Sequence, residues 1–185
     1  IGSLTVTKPV VLGTLTYNSF SQSPNIAISA MYTITNNSSV NAGEYTAIVI
    51  LNDKENTTWS DSTTDDLELD WTINQAQVTF KADNKSSTYY SELVVFTYTL
   101  TGIVYNEELS PYVTSEVTST SSADTYTLTM NCEQDINNNY QITLMDGEYT
   151  INPALITLTA DNKSSQYSDT MADLTYKITN GERFG

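Results

Sequence analysis

A chain of 185 residues with 39% apolar side chains can bury a core in one domain or more, while seven Lys plus Arg against 22 Asp plus Glu leave a formal charge of −15 that repels nucleic-acid phosphates and anionic membrane surfaces alike. One Cys excludes an intrachain disulfide, and no stretch approaches the roughly 20 apolar residues of a membrane-spanning helix. The absence of His removes the usual base of Ser and Cys nucleophiles and the commonest ligand of zinc and copper.

Thirteen Tyr in a background of Thr, Ser, Val and Ile favour strands over helices. Leu4-Thr5-Val6-Thr7 already reads as a strand, and Asn36-Asn37-Ser38-Ser39 marks a turn. Asn41-Ala42-Gly43-Glu44-Tyr45 resembles a tyrosine corner, in which the ring enters the core and the hydroxyl bonds back to the upstream backbone. Tyr45, Ala47, Val49 and Leu51 then form the inward face of a strand, and Leu67, Leu69, Trp71 and Ile73 that of another, with Glu68, Asp70, Thr72 and Asn74 facing water. The segment Asn106-Glu107-Glu108-Leu109 comes nearest to a helix and is stopped by Pro111. Ser122-Ala123-Asp124-Thr125-Tyr126 is a weaker copy of the corner. It leads into Tyr126, Leu128, Met130 and Cys132, so Cys132 falls opposite Leu51 and is expected to be buried and inert. Asn137-Asn138-Asn139 marks a further turn.

Self-comparison organises the chain. Val78-Thr79-Phe80-Lys81-Ala82-Asp83-Asn84-Lys85-Ser86-Ser87 recurs 78 residues later as Ile156-Thr157-Leu158-Thr159-Ala160-Asp161-Asn162-Lys163-Ser164-Ser165. The same offset maps Phe96-Thr97-Tyr98 onto Leu174-Thr175-Tyr176, and Trp71-Thr72-Ile73-Asn74 onto Tyr149-Thr150-Ile151-Asn152. Repeats are therefore predicted at 1–77, 78–153 and 154–185, the last only the opening of a third, to be completed by further chain or by a neighbouring copy. Six or seven short strands per repeat predict an all-β fold of tandem immunoglobulin-like β-sandwich repeats. A β-grasp fold competes and requires an amphipathic helix that no window supplies.

The pattern Ala82-Asp83-Asn84-Lys85-Ser86-Ser87 to Tyr89, then Phe96-Thr97-Tyr98 to Gly102, then Tyr149-Thr150-Ile151-Asn152-Pro153-Ala154 resembles the MBG-type repeats of large bacterial surface adhesins. Leu15-Thr16-Tyr17-Asn18, Ala42-Gly43-Glu44-Tyr45-Thr46 and Trp71-Thr72-Ile73 are similar to other immunoglobulin-like repeats found beside them. The resemblance implies an adhesive or spacing segment at the cell surface and brings no ligand site. Where such repeats carry Tyr-Gly-Asp, this chain has Tyr89-Tyr90-Ser91 and Tyr167-Ser168-Asp169, so the turn is expected to differ.

No catalytic or cofactor-binding residues emerge. Asp61, Asp65, Asp66 and Asp70, with Glu68 among them, form an acidic run that supplies hard oxygens for calcium but lacks EF-hand spacing, against the alternative of a solvated loop. Sequons stand at Asn36, Asn37, Asn56, Asn84 and Asn162 and would carry glycans in a eukaryote. The function expected is a structural stalk or adhesive segment of an extracellular protein. Its partners would be neighbouring repeats of the same polypeptide and a host or matrix glycan or protein, with neither nucleic acid nor membrane insertion. The alternatives are a glycan- or protein-binding module using exposed Tyr89, Tyr90, Tyr105 and Tyr112, or a filament subunit completed by a neighbouring chain.

Overall fold

The computed structural model describes residues 2–105, 107–133 and 138–181. Asn106 and Asn137, which belong to the helix-like segment and the Asn turn singled out above, lie outside them. Among the described residues the secondary structure is strand, in chain order β1 (Leu4–Val6), β2 (Val11–Leu12), β3 (Leu15–Thr16), β4 (Asn25–Ile26), β5 (Tyr32–Thr35), β6 (Gly43–Leu51), β7 (Thr57–Trp59), β8 (Leu67–Asn74), β9 (Ala76–Ala82), β10 (Lys85–Thr88), β11 (Tyr98–Thr101), β12 (Pro111–Thr114), β13 (Thr125–Cys132), β14 (Tyr140–Met145), β15 (Gly147–Asn152), β16 (Thr157–Ala160) and β17 (Tyr176–Asn180). No helix is found among these residues, so the chain is all-β and the β-grasp alternative falls. The chain forms two compact units. The first contains Ile1–Phe80, Leu100–Pro111 and Cys132–Leu144, and the second Lys81–Thr99, Tyr112–Asn131 and Met145–Gly185.

In the first unit the period-2 pattern does what it predicts. Along β8, Leu67 and Leu69 are half-buried, Trp71 and Ile73 are buried, and the intervening polar residues are exposed. β8 runs antiparallel to β6 from Gly43↔Ile73 to Val49↔Leu67, β5 flanks β6, and β3 lies parallel to β8, giving the sheet order β3-β8-β6-β5. The small sheets β1-β7 and β2-β4 complete the layers. The core gathers on fully buried Trp59, packed with Val6, Tyr32, Val49 and Leu51 and edged by Met31, Ile34, Leu67 and Leu69. The Trp59 indole donates to the Asp65 carbonyl at 2.7 Å, so its polar atom is satisfied. The indole nitrogen of Trp71 is buried without a partner among the described residues, an omission that costs about 1–3 kcal/mol. A three-stranded sheet, β11-β9-β14, begins in this unit. Gly102 follows β11 with φ +88°, and a Cβ there would stand 2.1 Å from the Gln77 carbonyl oxygen.

The second unit repeats the four-stranded design as β10-β15-β13-β12. Leu128 and Met130 of β13 and Tyr149 and Ile151 of β15 are buried, and the Tyr149 hydroxyl accepts the Val94 amide at 2.8 Å while its ring meets Phe96 edge-on at 5.8 Å. Gly147 permits β15 to approach Ala82, whose carbonyl oxygen would stand 2.7 Å from any added Cβ. β16 and β17 form an antiparallel hairpin, Leu158↔Ile178 and Ala160↔Tyr176, in which every residue is exposed.

Two expectations need correction. Both tyrosine corners form, with Tyr45 donating to the Asn41 carbonyl at 2.7 Å and Tyr126 to that of Ser122 at 2.9 Å, but the two rings are half-buried and not in the core. A hydroxyl that returns to a carbonyl four residues upstream must stay at the sheet's end, and the Tyr45 ring lies against Trp71 at 4.8 Å instead. Cys132 is also half-buried. It ends β13, beyond the last β15 partner at Leu128↔Gly147, where the Met130 amide already turns to the Asp146 carboxylate at 2.8 Å. Partial burial still pushes the Cys132 thiol above its ordinary value.

Gly102→Ala adds a backbone clash to a left-handed strain of about 1–2 kcal/mol, whereas Gly13→Ala, with φ +77° and nothing within 4 Å of the new Cβ, incurs the strain alone. Thermal or urea melts should place Gly102→Ala at least about 2 kcal/mol below Gly13→Ala; equal values would show that β9 yields freely. At pH 8, Cys132 should react with a thiol reagent more slowly in the folded chain than in the urea-unfolded chain, since burial disfavours the thiolate.

Candidate functional site

The acidic run is dispersed among separate partners. Asp61 pairs with Lys8 and accepts the Thr63 hydroxyl at 2.7 Å, and hydrogen bonding from Lys8 first, then Thr63, draws its carboxyl down to about 2. Asp66 pairs with Lys54 at 2.7 Å, Asp70 accepts from Thr46 at 2.8 Å, and Asp65 contributes its carbonyl to Trp59. Among the described residues no three acidic, Cys or His side chains gather where a metal ion could be held.

The sequon residues Asn36, Asn56, Asn84 and Asn162 are exposed and Asn37 is half-buried. The Asn56 amide donates to Asp53 at 2.9 Å, holding that carboxyl below its usual range, and Asn84 accepts the Glu148 amide at 3.0 Å. Of the exposed-tyrosine candidates, Tyr89 and Tyr90 have ring centres 5.9 Å apart, Tyr105 meets Phe20 at 5.1 Å, and Tyr112 lies in β12. One open groove in the second unit is walled by Thr114, Ser115, Glu116, Tyr126, Thr127 and Thr129, with Tyr126 its one aromatic side chain, whereas small-molecule sites are lined predominantly by hydrophobic and aromatic residues.

The most elaborate geometry joins an opening strand to a closing strand in each unit. β3 pairs parallel with β8 as Leu15↔Ile73 and Thr16↔Asn74, and β10 pairs parallel with β15 from Lys85↔Tyr149 to Thr88↔Asn152. The ladders extend alike, from the Tyr17 amide to the Asn74 carbonyl and from the Tyr89 amide to the Asn152 carbonyl, each 2.8 Å. The same Asn side chains lock them: Asn74 donates to the Leu15 carbonyl at 3.0 Å and Asn152 to that of Ser87 at 3.3 Å. The motif Thr-Ile-Asn, visible in the sequence as a repeat, is thus a clasp.

A second cluster escaped sequence reasoning altogether. Within the first unit, buried Asn139 accepts the Ala42 amide at 2.7 Å, donates to the Asn41 side chain at 3.2 Å and receives the Ala76 amide on its carbonyl at 2.9 Å. Beside it Tyr17 and Tyr140 meet edge-on at 5.6 Å, Tyr17 donates to the Glu107 carboxylate, and the Tyr140 hydroxyl accepts the Val104 amide at 3.2 Å. Burial, then the Glu107 carboxylate, raises the Tyr17 hydroxyl and pushes that of Tyr140 up to about 12. The residues span 17 to 140, so no local pattern announces them; Asn139 reads in sequence only as part of a turn.

After each Asn-Lys-Ser-Ser segment the chain makes the same turn. Ser91 donates to the Thr88 carbonyl at 3.0 Å with Tyr90 at φ +67°, and Asp169 donates to Gln166 at 3.1 Å with Ser168 at φ +74°. A positive φ at the third turn position alone is the type II arrangement, which glycine adopts without steric cost. The non-glycine residues here keep that conformation.

Residues 78–150 match the family model of the MBG domain, YGX type. No curated protein and no solved structure matches the chain. Tyr89-Tyr90-Ser91 occupies the stretch expected for the Tyr-Gly-X signature, with tyrosine in a glycine-like conformation. Residues 78–150 of this chain are thus similar to the MBG domain of the YGX type.

Proposed function

We propose that the chain is a load-bearing segment of an extracellular surface protein, built from repeats at 1–77, 78–153 and 154–185 and without catalytic activity. The MBG domain is a repeat domain of surface proteins, typical of extracellular ones. The observation that carries the reading is the pair of parallel clasps. Tension arriving from the two directions of the chain pulls β10 back by its first residue and β15 forward by its last. Parallel strands loaded in this way slide against one another, so their hydrogen bonds share the load and do not open one at a time. The same holds for β3 and β8.

The absence of His and the separate engagement of the acidic side chains support a role without turnover. An adhesive role has the exposed Phe20–Tyr105 pair in its favour, since ring faces at a surface suit sugars and host side chains.

Pulling single molecules through their ends tests the load-bearing reading. Asn74→Ala and Asn152→Ala should each lower the rupture force of one unfolding event and raise its unfolding rate about fivefold, the equivalent of about 1 kcal/mol for one lost hydrogen bond. Thr46→Ala, which removes a contact to Asp70 across the antiparallel β6–β8 pair, should leave the forces in place. Rupture forces indifferent to both Asn substitutions would overturn the reading.

A further inference from the structure

Two aromatic rings stand out of the surface of the first unit, Phe20 at 55% exposure and Tyr105 at 67%. They meet edge to face, with centres 5.1 Å apart and planes at 62°. An edge contact covers at most one face of one ring, so most of the π surface is left to another partner. Exposure this high returns little burial, and yet the backbone that holds the rings is strained. Tyr105 itself has φ +35°, and Ser19, next to Phe20, has φ +68°. Non-glycine residues keep such conformations only where their surroundings impose them.

The surroundings here do so. The Tyr140 hydroxyl accepts the Val104 amide at 3.2 Å, the Glu107 amide donates to the Val104 carbonyl at 3.2 Å, and Tyr17, buried beside Tyr140, donates to the Glu107 carboxylate. On the other side the Asn18 side chain accepts the Phe20 amide at 3.0 Å, and the Gln22 side chain donates to the Thr16 carbonyl at 3.0 Å. The Gln22 and Ser39 backbones exchange two hydrogen bonds, at 2.8 and 3.0 Å. The pair is therefore displayed on fixed turns, which lowers the ordering cost of binding.

The chemistry of the two segments narrows the partner. Residues 17–22 and 101–109 contain no Lys or Arg, and Asn18, Ser19, Ser21, Gln22, Glu107 and Glu108 supply amides, hydroxyls and carboxylates. A ligand rich in hydroxyls can donate to and accept from such groups. A sulfated or carboxylated one is repelled by the carboxylates and by the net charge of −15. Anchors of protein interfaces sit in packed, desolvated recesses, whereas these rings project, and a projecting ring face suits the flat C–H face of a pyranose. We infer that Phe20 and Tyr105 form a binding site for uncharged pyranose oligosaccharides, which stack on the rings and hydrogen-bond to the polar groups of the same two segments. The inference rests on the adhesive role proposed above and names what is adhered to. Single contacts of this kind are weak, and many copies at a surface supply the avidity.

Titration of the isotope-labelled chain with cellohexaose, maltohexaose and N-acetylchitohexaose tests this. At least one of the three should shift the amides of 18–22, 103–105 and 107 with a dissociation constant of about 1 mM, and a chondroitin sulfate hexasaccharide should leave them in place. Phe20→Ala should weaken binding about tenfold, as loss of an anchor does. Tyr105→Gly should do the same while the melting temperature holds or rises, because glycine adopts the positive φ without strain. No shift with any of the three at about 10 mM overturns the inference, as does binding indifferent to both substitutions or preference for the sulfated sugar. Beads coated with the chain and settled on an epithelial monolayer separate the site from the adhesive role. Adhesion lost with Phe20→Ala and competed by the oligosaccharide that shifts the amides supports both. Adhesion lost with Phe20→Ala but untouched by every oligosaccharide overturns the inference, names a protein partner and leaves the adhesive role standing. Adhesion no greater than that of bare beads removes the adhesive role, while the titration decides the site.

Discussion

The parallel pairing of β3 with β8 and of β10 with β15 is the contact on which the rest of the fold hangs. Without β8, β3 has no partner, and without β15 neither Lys85–Thr88 nor the Phe96 pocket has one. Parallel pairing between strands far apart in sequence carries a loop-closure cost that only the completed sheet repays. The clasp therefore forms with the whole repeat or not at all. The Asn that ends each closing strand sharpens this dependence, since its side chain satisfies a carbonyl on the opening strand where the ladder runs out.

The elements legible in the sequence are those whose information is local. Alternation along Leu67–Asn74 placed four residues on each face as found, because a strand with one wet face leaves a period-2 trace that needs no knowledge of its partners. The corner at Tyr45 was legible for a similar reason: its bond spans four residues. Its ring burial was not, because the depth of a ring depends on what lies above it. Cys132 fails in the same way. Its face is fixed by parity with Leu128 and Met130, but its burial depends on where β15 stops pairing, which is a fact about another segment. The Asn139, Tyr17 and Glu107 cluster is the extreme case, since segments around residues 17, 41, 76, 107 and 139 that share no motif converge there.

The turn after Asn-Lys-Ser-Ser shows a different limit. Replacing glycine by tyrosine or serine suggests a changed turn, yet both residues hold positive φ. The strain, of order 1–2 kcal/mol, is tolerated where flanking interactions hold the turn. In the one copy these are the clasp and the bond from Asp83 to Thr97; in the other, the Asp161–Thr175 bond persists without a clasp. Comparison of the two copies thus separates what the segment specifies by itself, the Asp–Thr bond and the turn, from what it acquires only with a partner strand, namely the extended ladder at Lys85–Thr88. Secondary structure here belongs partly to the pair of strands and not to either sequence.

The passage from the closing strand β8 into β9 bears directly on a load-bearing role. β8 ends at Asn74 and β9 begins at Ala76, with Gln75 alone between them. Both residues after Asn74 are anchored: Gln75 donates to the Asn138 carbonyl at 2.8 Å and Ala76 to that of Asn139 at 2.9 Å. Asn139 in turn holds Ala42 and Asn41 in the loop that enters β6, the central neighbour of β8. A pull on β9 therefore meets Asn139 before it reaches the clasp, and Asn139 passes part of it to the loop ahead of β6. A flexible linker in this place would let the chain straighten before either clasp felt tension. One anchored residue leaves almost no slack, so in the proposed role the hydrogen bonds of Asn139 share the load with the β3–β8 ladder, and Asn139 matters to extension although it lies outside both clasps.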